Sequence, residues 1–325
     1  MTSEPADRPL EPPSLAAVRA ARDRIAGIAI RSPLAVLDAG PSDGVSVKLE
    51  NLQPIGSFKI RGAASAATAL SPAARSNGLA TASAGNMAQG VAWCARAFGV
   101  PARVLVPDTA PAAKLDPLHR LGAEIIPVPF DEWWQTMADR GHPRLSGTFI
   151  HPFADPDVLA GNGTIALEIF EDAPQIDAIL VPWGGGGLAC GIAAAARALG
   201  SAARVFAVEI DGSAPLTAAY AGNGPTSIVP RRTFIDGIGG NGVSPAIWPM
   251  ARELLAGVMT VTVAEVAAAI RLLAERNHVV AEGAGAAPVA ASIRGVAGAH
   301  NVVAVVSGGN IDRNVLAAIL RGDVP

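Results

Sequence analysis

From Ser14 onward the chain alternates short apolar runs with Ala-rich amphipathic stretches, punctuated by Gly, Pro and Asp. Leu15, Val18, Ile25 and Ile28 recur at helical spacing among arginines behind a capping Ser14, which predicts a helix over 14–28. Residues 45–50 alternate as a strand does. Helix over 58–70, strand over 81–85 and helix over 87–98 follow, then strand 104–106, helix 111–121 and strand 125–128. After the turn-rich HPFADPD the alternation restarts. It predicts helix 165–170, strand 178–182, helix 188–199, strand 205–209, helix 263–276, strand 302–306 and helix 311–320. Residues 212–244, rich in Gly, Pro and Ser, read as irregular and functional.

Strand–helix alternation of this kind predicts an α/β protein. At 325 residues two open twisted αβ lobes are expected, with the active site in the cleft between them. The small lobe spans 51–145 and the large lobe 14–50 plus 146–325, behind a polar, Pro-rich lead-in over 1–13 expected to be disordered. Half of the residues are hydrophobic and only 4% aromatic, as suits parallel strands buried on both faces under Ala-rich helices.

Mean hydropathy of +0.35 raises the question of a membrane, but Gly, Pro and charges interrupt each apolar run before about 18 residues. A net charge of −3 provides no basic footprint for nucleic acid or an anionic membrane. Cys94 and Cys190 form no CxxC pair or disulfide framework, and the N-terminus lacks the apolar core of a signal peptide; a reducing cytoplasm is expected. The five histidines have no ligand spacing.

Four places carry candidate chemistry. After strand 178–182 come Trp183 and then Gly184, Gly185, Gly186 and Gly187, ahead of a helix. Consecutive glycines let successive N–H groups face one anion at a helix N-terminus, as for a phosphate monoester. The same run suits a flexible turn, and a dinucleotide fingerprint with Glu209 can be forced onto it. Lys59, behind Phe58 and next to Arg61, opens a helix, where the dipole and the neighbouring cation both lower an amine's pKa. A solvated Lys-x-Arg pair is the plainer alternative. Ser83, Ala84, Gly85 and Asn86 lie at a strand-to-helix junction where a carboxylate can dock, or where Asn86 caps the helix. Ser307, in SGGN after strand 302–306, can meet a heterocyclic nitrogen or cap the last helix.

In order, GSFKIRGA, SAGNMAQG, GTIALEI, VPWGGGGLACGI, AVEI, AEGAGA and VVSGGN resemble the fold-type II pyridoxal-phosphate (PLP) enzymes. Within that group they are similar to the serine/threonine dehydratase branch, which includes threonine ammonia-lyases and serine racemases; the resemblance spans about 32–320. It implies a tryptophan-synthase-β-like fold, PLP as cofactor, a small amino-acid substrate and a homodimer. It implies PLP-dependent loss of water and ammonia from a β-hydroxy-α-amino acid such as L-threonine or L-serine. Lys59 then holds the cofactor and serves as Cα base, and Phe58 packs beside the ring. Gly184 to Gly187 with Leu188 bind phosphate, Asn86 the 3-hydroxyl and Ser307 the ring nitrogen, while Ser83 to Asn86 hold the substrate carboxylate.

A serine at the ring nitrogen weakens the electron sink and favours fast loss of the β-substituent. Ala84 stands where serine racemases carry a second serine, so elimination is expected over racemisation. Met87 replaces a usual His and is expected near the cofactor mouth; Asn162 stands in the AGQGT-like loop AGNGT. Together with 212–244, these are the positions where specificity for another β-substituted amino acid (hydroxyaspartate, phenylserine, a diamino acid) is expected to register, in a dehydratase or a β-replacement enzyme. A catalytically inactive PLP-fold protein and a nicotinamide oxidoreductase are the remaining alternatives. Some relatives bind a divalent metal, for which Glu209 and Ser213 match, but Pro215 stands at the third position and Asp211 or a water would have to complete the set.

Overall fold

The computed structural model describes residues 8–40 and 44–325. Among the described residues ten strands form two sheets: β1 Leu34–Val36, β2 Val45–Leu49, β3 Leu79–Ala82, β4 Ala102–Pro107, β5 Glu124–Val128, β6 Thr148–Phe149, β7 Ala178–Pro182, β8 Arg204–Ile210, β9 Gly257–Val261 and β10 Val302–Val306. The larger sheet runs β1-β2-β10-β7-β8-β9 and the smaller β5-β4-β3-β6. All pairings are parallel except β1 with β2.

The two-residue strand period divides each sheet's core into two layers. Along β10, Val303 and Val305 enter one large-lobe layer, while Val302, Ala304 and Val306 enter the other. In β4, Val104 and Val106 face the main core of the small lobe, and Leu105 the opposite side. Parallel strands align their carboxyl ends within each sheet, and the two sheets meet there, around one cleft. The loop after β3 bonds to the loop after β10 through Asn86 and Asn310, and the loop after β6 packs Phe153 on Gly185 after β7.

Ser14 caps the first helix, Leu15–Ile25, accepting from Ala17 N–H at 3.2 Å. Residues 1–7 of the expected lead-in lie outside the described residues, but Leu10 is anchored by its N–H on Ala246 O at 2.9 Å. The helix expected over 165–170 begins much earlier, as Pro156–Asp172, capped by the Asp155 side chain on Asp157 and Val158 N–H. Its Gly161 and Gly163 resemble a loop in sequence, yet here they permit close packing. A Cβ on Gly161 would lie 2.7 Å from Ser65 Cβ, and one on Gly163 would lie 2.9 Å from Gly191 O. This helix therefore underlies both Lys59–Ala69 and Gly187–Ala198. Within 212–244, expected to be irregular, lies the helix Pro215–Gly222.

Candidate active site

Lys59 is the first residue of the helix Lys59–Ala69, and its half-buried side chain reaches into the cleft. Nζ donates to Pro152 O at 2.6 Å and lies 5.2 Å from the Phe58 ring centroid. Burial lowers its pKa to about 8, against the opposing pull of Glu282. Arg61 is not the cause, contrary to the expectation from sequence. Its buried guanidinium is committed to Glu50 and Glu168 at 2.7–2.8 Å, in a cluster that also holds Lys48.

The turn receiving the Lys59 amine is built on His151, whose Nδ1 accepts from Phe153 N–H at 3.3 Å and Ala154 N–H at 2.9 Å. Burial and the charges of Arg140 and Lys59 push the His151 pKa down to about 3, so the ring is neutral and able to accept. Phe153 in turn presses on the tetraglycine run. A Cβ on Gly185 would enter the Phe153 ring, and one on Gly187 would stand 2.8 Å from Phe153 O. Gly186 has φ +86°, which favours glycine, and a Cβ there would meet the Trp183 ring and Ile247. This cradle opens the helix Gly187–Ala198, and Leu188 is buried in that helix's first turn. Asn162 does not face the cleft: it is buried under the loop, donating to Gly187 O at 3.1 Å.

Across the cleft, Ser83, Ala84, Gly85 and Asn86 are half-buried, and nothing lies within 4 Å of where a Gly85 Cβ would stand. Asn86 is not a cap. It is the first residue of Asn86–Phe98, and its amide is bound to Glu282 and Asn310 instead. Ser307 does not cap the last helix either, since Asp312 does so through Asn314 and Val315 N–H. Ser307 is buried, and its carbonyl accepts from Phe58 N–H at 2.9 Å, which ties the Lys59 loop to the end of β10. Met87 is buried in the core of the small lobe, not at the mouth.

Glu282 and His151 were not singled out as site residues from sequence. A lone acid in the Ala/Gly-rich AEGAGA, and the His that opens the HPF turn, were the available signals.

The metal pair does not fit a cation. Glu209 Oε1 accepts from Leu216 N–H at 2.7 Å, and Oε2 from Thr217 N–H at 2.9 Å and Thr217 Oγ1 at 2.8 Å. The carboxylate thus caps the helix Pro215–Gly222, supplying the negative charge its N-terminus favours. Pro215 offers no side-chain donor atom at the third position, which leaves the Ser213 backbone carbonyl without a carboxylate partner there, and Asp211 is exposed.

A lysine amine half neutral near pH 8, in a cleft with a glycine-rich turn at a helix N-terminus, suits an enzyme that holds a phosphorylated carbonyl cofactor covalently. The chain belongs to the family described as "Pyridoxal-phosphate dependent enzyme", whose model matches residues 29–308. It is 36% identical over 310 residues to L-threonine ammonia-lyase of Thermotoga maritima, covering 94% of this chain and 77% of that protein. Among solved structures it is similar to maize serine racemase, with TM-score 0.88 and 30% identity over 96% of this chain and 98% of that one. It is also similar to a threonine deaminase from T.th., with TM-score 0.81 and 35% identity over 92% of this chain and 99% of that one. No helix among the described residues is long and apolar enough to cross a membrane.

Proposed function

We propose that the protein is a PLP-dependent ammonia-lyase that converts L-threonine or L-serine to the 2-oxo acid and ammonia. The observation that carries this reading is Lys59: an amine with its pKa near 8, held by Pro152 O beside the glycine cradle. PLP, when bound, supplies an electron-withdrawing ring that stabilises negative charge at the substrate Cα. The chain's own residues do the rest. Lys59 would hold the cofactor and would be the base for the substrate Cα proton; its pKa near 8 suits a base at neutral pH. The N–H groups of Gly184 to Leu188, at the start of Gly187–Ala198, take the phosphate. Phe58 would pack on the ring, Asn86 would donate to the 3-oxygen and Ser307 would meet the ring nitrogen. Ser83 to Asn86 hold the substrate carboxylate, in space that Gly85 leaves open.

The half-buried Ala84 brings a methyl group where a hydroxyl would be needed to deliver a proton from the opposite face, so elimination outruns racemisation. The names of the relatives (L-threonine ammonia-lyase and threonine deaminase) support this substrate class. The reading carries with it a homodimer in a reducing cytoplasm, where Cys94 and Cys190 stay as buried free thiols.

The test is a panel of β-hydroxy and β-amino amino acids assayed for 2-oxo acid and ammonia, with chiral analysis of recovered serine. Threonine or serine should turn over, without appreciable D-serine. Lys59→Ala should lose both turnover and the visible absorbance of the lysine-bound cofactor. Full activity in that variant, or turnover confined to another substrate, overturns the assignment.

A further inference from the structure

The Asn86 amide is gripped from both sides, in a way that fixes its orientation. Ile55 O can only accept, so the Asn310 atom 2.9 Å from it must be the nitrogen Nδ2. The same Nδ2 donates its other hydrogen to Asn86 Oδ1 at 2.8 Å. Asn86 Nδ2 is therefore turned to Glu282 Oε1, at 2.8 Å. One Asn86 hydrogen is used by Glu282, and the second remains as a donor for a ligand. Asn86 comes from the small lobe, whereas Glu282 and Asn310 come from the large one, so this chain of bonds crosses the cleft.

Glu282 is an unusual acceptor. It is buried, with 7% of its surface exposed, directly ahead of the Gly/Ala-rich helix Gly283–Arg294. Gly308 makes room for it, since a Cβ there would overlap Oε1. Among the described residues, the charged groups facing it are Asp236 from the loop 223–247, Lys114 from Ala112–Arg120 and Lys59 from Lys59–Ala69. Lys114 and Asp236 are paired with each other across the cleft, which mutes both. The Asn310 backbone N–H also points to Glu282. Burial, and then the Asp236 charge, raise the Glu282 pKa to about 8, so the side chain carries a proton at neutral pH.

We propose that Glu282 is a proton-bearing positioning residue that acts through Asn86, so that its protonation governs how strongly Asn86 donates to the oxygen it binds. This rests on the reading above that Asn86 faces the 3-oxygen of PLP. Protonated, Glu282 is a weaker acceptor and leaves a negative 3-oxygen undisturbed. Ionised, it polarises the Asn86 amide from behind and sets a second negative charge close to that oxygen.

The test uses the loaded full-length enzyme. Infrared difference spectra of the wild type should contain a protonated carboxyl C=O band that titrates near pH 8. Glu282→Gln keeps an acceptor for Asn86 but cannot ionise. It should lose that band and the matching pH step in the visible absorbance of the cofactor. Its kcat should likewise lose the wild-type pH step near 8, with KM within about threefold. Glu282→Asp, which can still ionise, should retain a pH step in both absorbance and kcat. The proposal is overturned if the wild type has no titrating carboxyl band, or if Glu282→Gln keeps the wild-type pH step in absorbance and kcat. Should Glu282→Gln not fold, the wild-type band and Glu282→Asp decide the matter. A failure of the underlying reading would look different, because Lys59→Ala would then keep its cofactor absorbance or threonine and serine would not react.

Discussion

Replacing Arg61 by Met tests the claim that a buried charge cluster, not solvation, holds the Lys59 helix in place. The Arg61 side chain is 2% exposed, and its guanidinium makes bidentate contact with Glu50 at 2.8 Å. It also binds Glu168 at 2.7 and 2.8 Å, Thr164 at 3.1 Å and Ile30 O at 3.1 Å. Met fills similar volume and supplies none of this. Glu50, fully buried, would keep only Ser32 and Gln53, and Glu168 would keep Lys48. Breaking a buried ion pair by removing one partner costs about 3–5 kcal/mol, because the remaining charge is stranded. At roughly 2 °C or slightly more per kcal/mol for a large chain, the thermal midpoint at pH 7 should drop by about 6–12 °C.

The effect also has a pH signature. Burial alone would raise the Glu50 pKa, but the charge and hydrogen bonds of Arg61 outweigh it and hold the pKa below the usual carboxylate value. Its contribution is therefore complete above the unfolded value of about 4.3 and disappears as pH falls through the lower folded value. The gap between wild type and Arg61→Met, followed by circular dichroism, should be widest near neutrality and close in acid. A midpoint within about 2 °C of wild type at pH 7 would refute the reasoning.

Three further outcomes are expected. Gly185→Ala drives a methyl group into the Phe153 ring, an overpacking cost of about 1–3 kcal/mol, so cofactor affinity in absorbance titrations should fall about 5–100-fold. Calcium, magnesium or EDTA should move the thermal midpoint by less than about 1 °C, whereas Glu209→Ala should cost about 1–3 kcal/mol by stripping the acceptor from Leu216 and Thr217 N–H. The Lys59 amine titrates near 8 in the folded apoenzyme and near 10.4 when unfolded, so between these values the unfolded chain binds more protons and stability rises with pH. Lys59→Met should abolish that rise, and in the wild type the rate of cofactor capture should climb with pH and level off above about 8.

How much was legible in the sequence differs from residue to residue. Residues 178–182 and 302–306 were readable to the residue as strands, because a strand buried on both faces is an unbroken apolar run. The tetraglycine loop, Lys59 and the junction at Ser83–Asn86 each lie at an element boundary, where local chemistry alone left a plainer alternative open, and only the order of the motifs set them apart. The helix Pro156–Asp172 was only half visible, because Gly161 and Gly163 serve contacts with Ser65 and Gly191 that no local pattern announces. Asn162 and Met87 looked like specificity positions and proved to be packing residues.

The amino-acid sequence by itself determined the αβ alternation and the order of the motifs, set by periodicity and short-range chemistry, and the resemblance of those ordered motifs to a known family is what singled out Lys59. The tertiary structure alone decided what burial and distant partners do to each charge. Arg61 is silenced by Glu168, 107 residues away, Glu209 is claimed by a helix end in place of a cation, and Glu282 is turned by burial into a proton carrier behind Asn86. A side chain's charge state depends on the dielectric and the neighbours that folding brings to it, and those come from parts of the chain that are remote in sequence.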